Sequence, residues 1–156
     1  MFLKMVVVGI VAAAASSTGW AAVRGSEVMY IGGTMTAVAE KTEGTLDVSG
    51  DKSAEFKSKK SNFSIPFAKV TSLEYGQKAG RRVGAAIVVS PLLLLSKKRK
   101  HVLTIAFEDA AGTRQGVVLE VGKDHIRSIA NTFETRSGKK LEYESEEAKK
   151  NLPGGN

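Results

Sequence analysis

The sequence predicts a mainly β domain, about seven short strands followed by a single α-helix. Three observations carry that reading. Apolar and polar residues alternate with period two over several short runs. Glycine-containing turn signals separate the runs. Toward the C-terminus the period lengthens, and Ile126, Ile129, Ala130 and Phe133 fall at i, i+3, i+4 and i+7, one apolar stripe along a helix.

The strands follow in order. Tyr30 to Val38 is β-leaning, and Gly32-Gly33 within it marks a bulge or a sharp bend. Thr45 to Val48 and Ser53 to Lys57 alternate around the turn at Gly50-Asp51-Lys52, which predicts a hairpin. Phe63 to Phe67 and Val70 to Tyr75 continue the pattern as two strands or one bent strand, with Pro66 at an edge or a break. His101 to Phe107 and Gly116 to Val121 form a second hairpin across the turn-rich Glu108 to Gly112. Asp124 lies near the positive end of the helix, and Gly138 is placed to terminate it. The charged stretch 144–156, ending in Pro153-Gly154-Gly155, reads as a flexible solvated tail.

The order of these elements, together with the phrases Glu43-Gly44-Thr45-Leu46, Phe63 to Val70 and Glu134 to Lys140, resembles the pleckstrin-homology-like superfold from Val28 to Tyr143. It is similar in particular to GRAM-like domains and to small uncharacterised exported bacterial proteins. The resemblance implies a bent antiparallel barrel of about seven strands with the helix plugging one open end. It implies no particular activity, since a superfold hosts many unrelated functions.

The N-terminus reads as an export signal: Lys4, an apolar run from Met5 to Ala15, then small residues to Ala21. Cleavage after Ala21 would release the domain, whereas Met5 to Val23 together approach the roughly 20 residues of a spanning helix, so a retained anchor is the other reading. Either reading places the domain outside the cytoplasm, periplasmic or membrane-associated. The chain has no cysteine, which excludes disulfides, thiolate catalysis, cysteine metal sites and lipoprotein acylation. Its formal charge of +7 favours anionic partners.

One stretch stands apart. Arg81-Arg82 precede an apolar block from Val83 to Leu95, and Lys97-Lys98-Arg99-Lys100 follow it. As one helix the block would reach only about 20 Å, short of the roughly 30 Å hydrocarbon core, so it does not span a bilayer. Ser90-Pro91 is a natural turn, and a hairpin or re-entrant loop would bring both basic collars to one side. In that reading Arg81, Arg82, Lys97, Lys98, Arg99 and Lys100 contact anionic head groups. Ile87, Val89, Leu92, Leu93, Leu94 and Leu95 enter the acyl boundary. The alternative has the same physical standing: strands buried on both faces also read as unbroken apolar runs, and a closed barrel needs a fifth strand near here. Residues 83–95 would then be a core strand of a protein-interaction or structural module, with an envelope protein as partner.

Other constellations point away from chemistry. His101 and His125 fall on different elements and read as surface or edge residues. Glu108, Asp109 and Asp124 flank turns or open the helix, where carboxylates accept backbone hydrogen bonds. No serine sits in a Gly-x-Ser-x-Gly turn, and neither Gly32-Gly33 nor Gly80 to Gly84 fits a phosphate loop. With aromatic residues at 6% and no recognition motif, nucleic acid is not an expected partner. The expectation is a non-enzymatic binding module without cofactor or metal.

Overall fold

The computed structural model describes residues 26–77 and 100–154. The predicted signal, residues 1–21, lies outside the described residues, as do positions 78–99. The strands are β1 (Ser26–Gly33), β2 (Thr42–Asp47), β3 (Ser53–Lys57), β4 (Asn62–Pro66), β5 (Val70–Gly76), β6 (His101–Glu108), β7 (Arg114–Val121) and β8 (Leu141–Tyr143). The helices are α1 (Ile126–Ser137) and α2 (Glu146–Asn151), and a 3-10 turn, Phe67–Lys69, joins β4 to β5. The strands form one sheet in the order β4-β3-β2-β1-β7-β6-β5-β8. All neighbours are antiparallel except β5 and β8, which run parallel.

The mainly β reading stands, with corrections. Among the described residues there are eight strands rather than seven and two α-helices rather than one, and the sheet is mixed and open, with β4 and β8 at its edges. The first strand runs from Ser26 to Gly33, not from Tyr30 to Val38. Gly33 ends it at φ +143°, where a Cβ would lie 2.2 Å from the Gly116 carbonyl oxygen. Only glycine permits that approach. The next residue, Thr34, donates its amide to the Gly116 carbonyl and accepts the Gly116 amide on its hydroxyl. The chain then folds back, and Val38 is buried inside the loop. The bulge read from Gly32-Gly33 is present, as a register shift against β7 between Tyr30 and Gly32.

Both hairpins form as the alternation requires. In β3 and β4, Ala54, Phe56, Phe63 and Ile65 point into the core. Phe56 stacks on Phe63 with centroids 4.7 Å apart, a cross-strand pair in register. Asp109 closes the β6–β7 turn: its Oδ1 accepts from the amides of Ala111 and Thr113, both at 2.9 Å. Gly112 takes φ +76° there.

Helix α1 buries the stripe read from its sequence, with Ile126, Ile129, Ala130 and Phe133 at 1% exposure or less. Phe133 meets Phe67 edge-on at 5.3 Å, and the Arg136 guanidinium covers the Phe67 ring at 5.4 Å. Gly138 ends the helix in the left-handed conformation at φ 71°, its amide donating to the Glu134 carbonyl. The residue flanking the N-terminus is His125, without a side-chain cap, so Asp124 does not cap the helix.

The stretch after Tyr143 is not a solvated tail. Ser145 caps α2 by accepting the Ala148 amide at 3.0 Å. Glu146 and Glu147 occupy its first turn and Lys149 and Lys150 its last, the arrangement the helix dipole favours. Ala148 and Leu152 are buried, at 1% and 4% exposure. Two apolar residues among so many charges give too weak a period to read from the sequence.

Candidate functional site at the root of the β5–β6 connection

β5 and β6 are direct neighbours, with Gly76 opposite Val102. Beyond that rung the Lys100 amide still donates to the Gln77 carbonyl at 3.2 Å. Gln77 and Lys100, the described residues on either side of 78–99, are therefore adjacent, and β5 pairs directly with β6. Antiparallel neighbours are normally joined by about 2–5 residues, and connections beyond about 12–15 are usually functional or linker segments.

Arg81, Arg82, Ile87, Val89, Leu92, Leu93, Leu94, Leu95, Lys97, Lys98 and Arg99 all lie outside the described residues. Lys100, the last member of the basic run, is described. Its Nζ contacts Glu120 Oε2 at 2.6 Å, with the two side chains 36% and 25% exposed. A charge-assisted contact of that exposure contributes at most about 1 kcal/mol. It nevertheless places the Lys100 ammonium on β7.

The division of charge between root and connection was hidden in the whole-chain value of +7. All sixteen acidic residues and fifteen of the twenty-three basic ones lie among the described residues, a balance of −1. Positions 78–99 hold Lys78, Arg81, Arg82, Lys97, Lys98 and Arg99 and no acidic residue, a balance of +6. The remaining surplus is Lys4 and Arg24. The described domain is nearly neutral, and the β5–β6 connection carries a surplus of cations.

The root is braced by the C-terminal elements. Gln77 donates its amide to Glu144 Oε2 at 3.1 Å, and its side-chain oxygen accepts from Asn151 Nδ2 at 3.2 Å. Glu144 in turn donates its amide to the Tyr75 carbonyl at 2.9 Å, extending the parallel β5–β8 pairing. Beneath this brace Tyr75, fully buried, has its hydroxyl 2.7 Å from His101 Nδ1, and the two rings stack with centroids 6.0 Å apart. Tyr143 meets Tyr75 edge-on, and Lys149 lies over the Tyr143 ring at 5.9 Å. Burial raises the Tyr75 phenol above its ordinary value and lowers the His101 imidazole below 6.5, with nearby Lys123 lowering it further. His101 is thus half-buried and hydrogen-bonded at the start of β6, while His125 is exposed. The hydrogen-bond partner, Tyr75, is 26 positions away and left no sequence signal.

A concavity of about 560 Å³ is lined by residues of β1, β2, β3 and β7, among them Glu27, Met29, Glu43, Lys57 and Glu120. Among the described residues no cluster of three or more His, Asp or Glu could hold a metal ion, and no helix is long and apolar enough to cross a membrane. No protein-family model and no curated protein matches the chain.

Proposed function

We propose that this chain is an exported, non-enzymatic binding module of the pleckstrin-homology-like or GRAM-like type, attached to anionic membrane lipid by its β5–β6 connection. One observation carries the reading. The described residues have a balance of −1, whereas the β5–β6 connection, 78–99, has a balance of +6, and its cations flank thirteen residues without charge, Val83 to Leu95. Seven of the eight strands, in the order β4-β3-β2-β1-β7-β6-β5 with α1 following β7 in the chain, support the fold assignment, and β8 is an addition at the edge. The direct β5–β6 pairing leaves no place for a further strand between those two.

The energetics suffice for reversible attachment. Each lysine or arginine near an anionic surface contributes about 1 kcal/mol. A few leucine or valine side chains withdrawn from water add about 1.5–3 kcal/mol each when fully buried. Arg81, Arg82, Lys97, Lys98 and Arg99 take the head-group role, and Ile87, Val89 and Leu92 to Leu95 the acyl role. Lys100 joins the head-group set only by leaving Glu120.

Vesicle flotation tests the proposal. The protein floats with vesicles of anionic lipid and not with neutral ones, and replacing Lys97, Lys98 and Arg99 by glutamine weakens attachment by about a hundredfold, about 1 kcal/mol per charge. Absence of binding to anionic vesicles, or binding unchanged by the triple substitution, overturns it. If Leu93→Ser with Leu94→Ser unfolds the domain instead of releasing it, residues 83–95 are a core strand and the protein-interaction reading replaces the lipid one.

A further inference from the structure

We propose that the Tyr75–His101 pair is a proton-sensitive joint, which fastens the last rungs of the β5–β6 ladder when the imidazole is neutral and loosens them when it is protonated. Tyr75 Oη and His101 Nδ1 lie 2.7 Å apart, and Nδ1 is the one hydrogen-bond partner of the buried hydroxyl among the described residues. With the imidazole hydrogen on Nε2, the neutral phenol donates to Nδ1. An imidazolium nitrogen cannot accept. On protonation the phenol oxygen must turn to accept from Nδ1, and the phenol hydrogen then needs another acceptor inside a site where Tyr75 is fully buried.

The surroundings do not compensate the new charge. Lys123, from the loop between β7 and α1, acts on His101 with like sign, and Lys100 precedes it in the chain. On β7, Glu120 is engaged by Lys100, and after β8, Glu144 is engaged by the Gln77 amide. Tyr143 of β8 presents an aromatic ring to Tyr75, and Lys149 of α2 covers that ring. Glu74 and its β8 partner Glu142 fall on the other side of the sheet from Tyr75 by strand alternation. Opposite His101 stands Val121, which offers no charge.

The joint lies where it can act. His101 opens β6, one residue after Lys100, whose amide makes the final rung to Gln77. Loosening there weakens the Lys100–Gln77 rung. Under the lipid reading above, on which this consequence rests, mild acid would make Lys100 more available to an anionic surface.

Hydrogen exchange on the full chain without lipid tests the joint itself. Peptides covering Tyr75–Gln77 and Lys100–Leu103 are followed at about pH 7.5 and about pH 5, with rates corrected for intrinsic exchange. Protection there falls by about tenfold in acid, the effect expected from loss of one buried hydrogen bond, while the β2–β3 hairpin is unchanged. In His101→Asn the amide oxygen replaces Nδ1 as acceptor and does not titrate, so the acid response disappears. Tyr75→Phe, which keeps the ring and removes the hydroxyl, loses it as well and serves if the asparagine variant does not fold. No acid response in the native chain, or an equal one in both variants, overturns the joint. A parallel arm with anionic vesicles separates the two proposals: an intact exchange response without acid-enhanced attachment refutes the lipid consequence alone.

Discussion

Truncating Leu152 to alanine tests whether the charged C-terminal stretch belongs to the fold. Helix α2 has six residues, too few to persist unaided in water, so its order depends on the burial of Ala148 and Leu152 and on the Ser145 cap. Leu152 is 4% exposed. Removing its branched end forfeits about 2–3 kcal/mol, the lower part of the range for leucine-to-alanine changes because the site borders solvent and can relax. With a urea m-value of about 1–3 kcal/mol per molar, the unfolding midpoint falls by about 1 M. The loss is also local. If α2 detaches before global unfolding, m decreases slightly, and the amides of Ala148 and Gln77 lose protection together, because Asn151 and Glu144 hold Gln77. Circular dichroism in urea gives the midpoint and hydrogen exchange the locality. A midpoint and a Gln77 protection both unchanged in Leu152→Ala would refute the reasoning and return residues 144–156 to a solvated tail.

Two further outcomes follow from the same packing. Phe133→Ala empties a fully buried site against Phe67 and costs about 3–5 kcal/mol in urea unfolding, whereas a loss below about 1.5 kcal/mol would mean that α1 is not integral to the core. Stability also falls with acid in two windows. The folded-state values of Asp47 and Asp109 are held below 3.8, Asp47 chiefly by Ser49 and Asp109 chiefly by Gln115, so their contribution is present above 3.8 and is lost as pH falls through the folded values. His101 is held below 6.5, so the unfolded chain binds its proton first and stability declines as pH drops below 6.5. Urea titrations of the native chain and His101→Asn between about pH 7.5 and pH 5 check the upper window, which the variant should lack.

How much of this was legible beforehand varied with the range of the interaction. The α1 stripe, the Asp109 turn, the Gly138 stop and the β2–β3 and β6–β7 hairpins are set by residues within a few positions of one another, and the sequence displays them. The end of β1 does not show in its own propensity, since Thr34 to Val38 remain β-leaning. Contact with Gly116, more than eighty positions away, turns the chain there. The eighth strand and α2 were hidden because each is short and takes its stability from docking on β5 rather than from local pattern.

The candidate site divides the same way. The basic-apolar-basic order of residues 81–100 is plain from the residues alone, because composition along a chain needs no fold to be read. It took strand pairing to bring β5 directly beside β6, so that this segment joins sheet neighbours, and to set Lys100 against Glu120. The tertiary structure alone brought Tyr75 to His101 and Gln77 to Glu144 and Asn151. Those contacts join residues 20 to 74 positions apart, and strand pairing rather than local propensity selects which distant side chains meet.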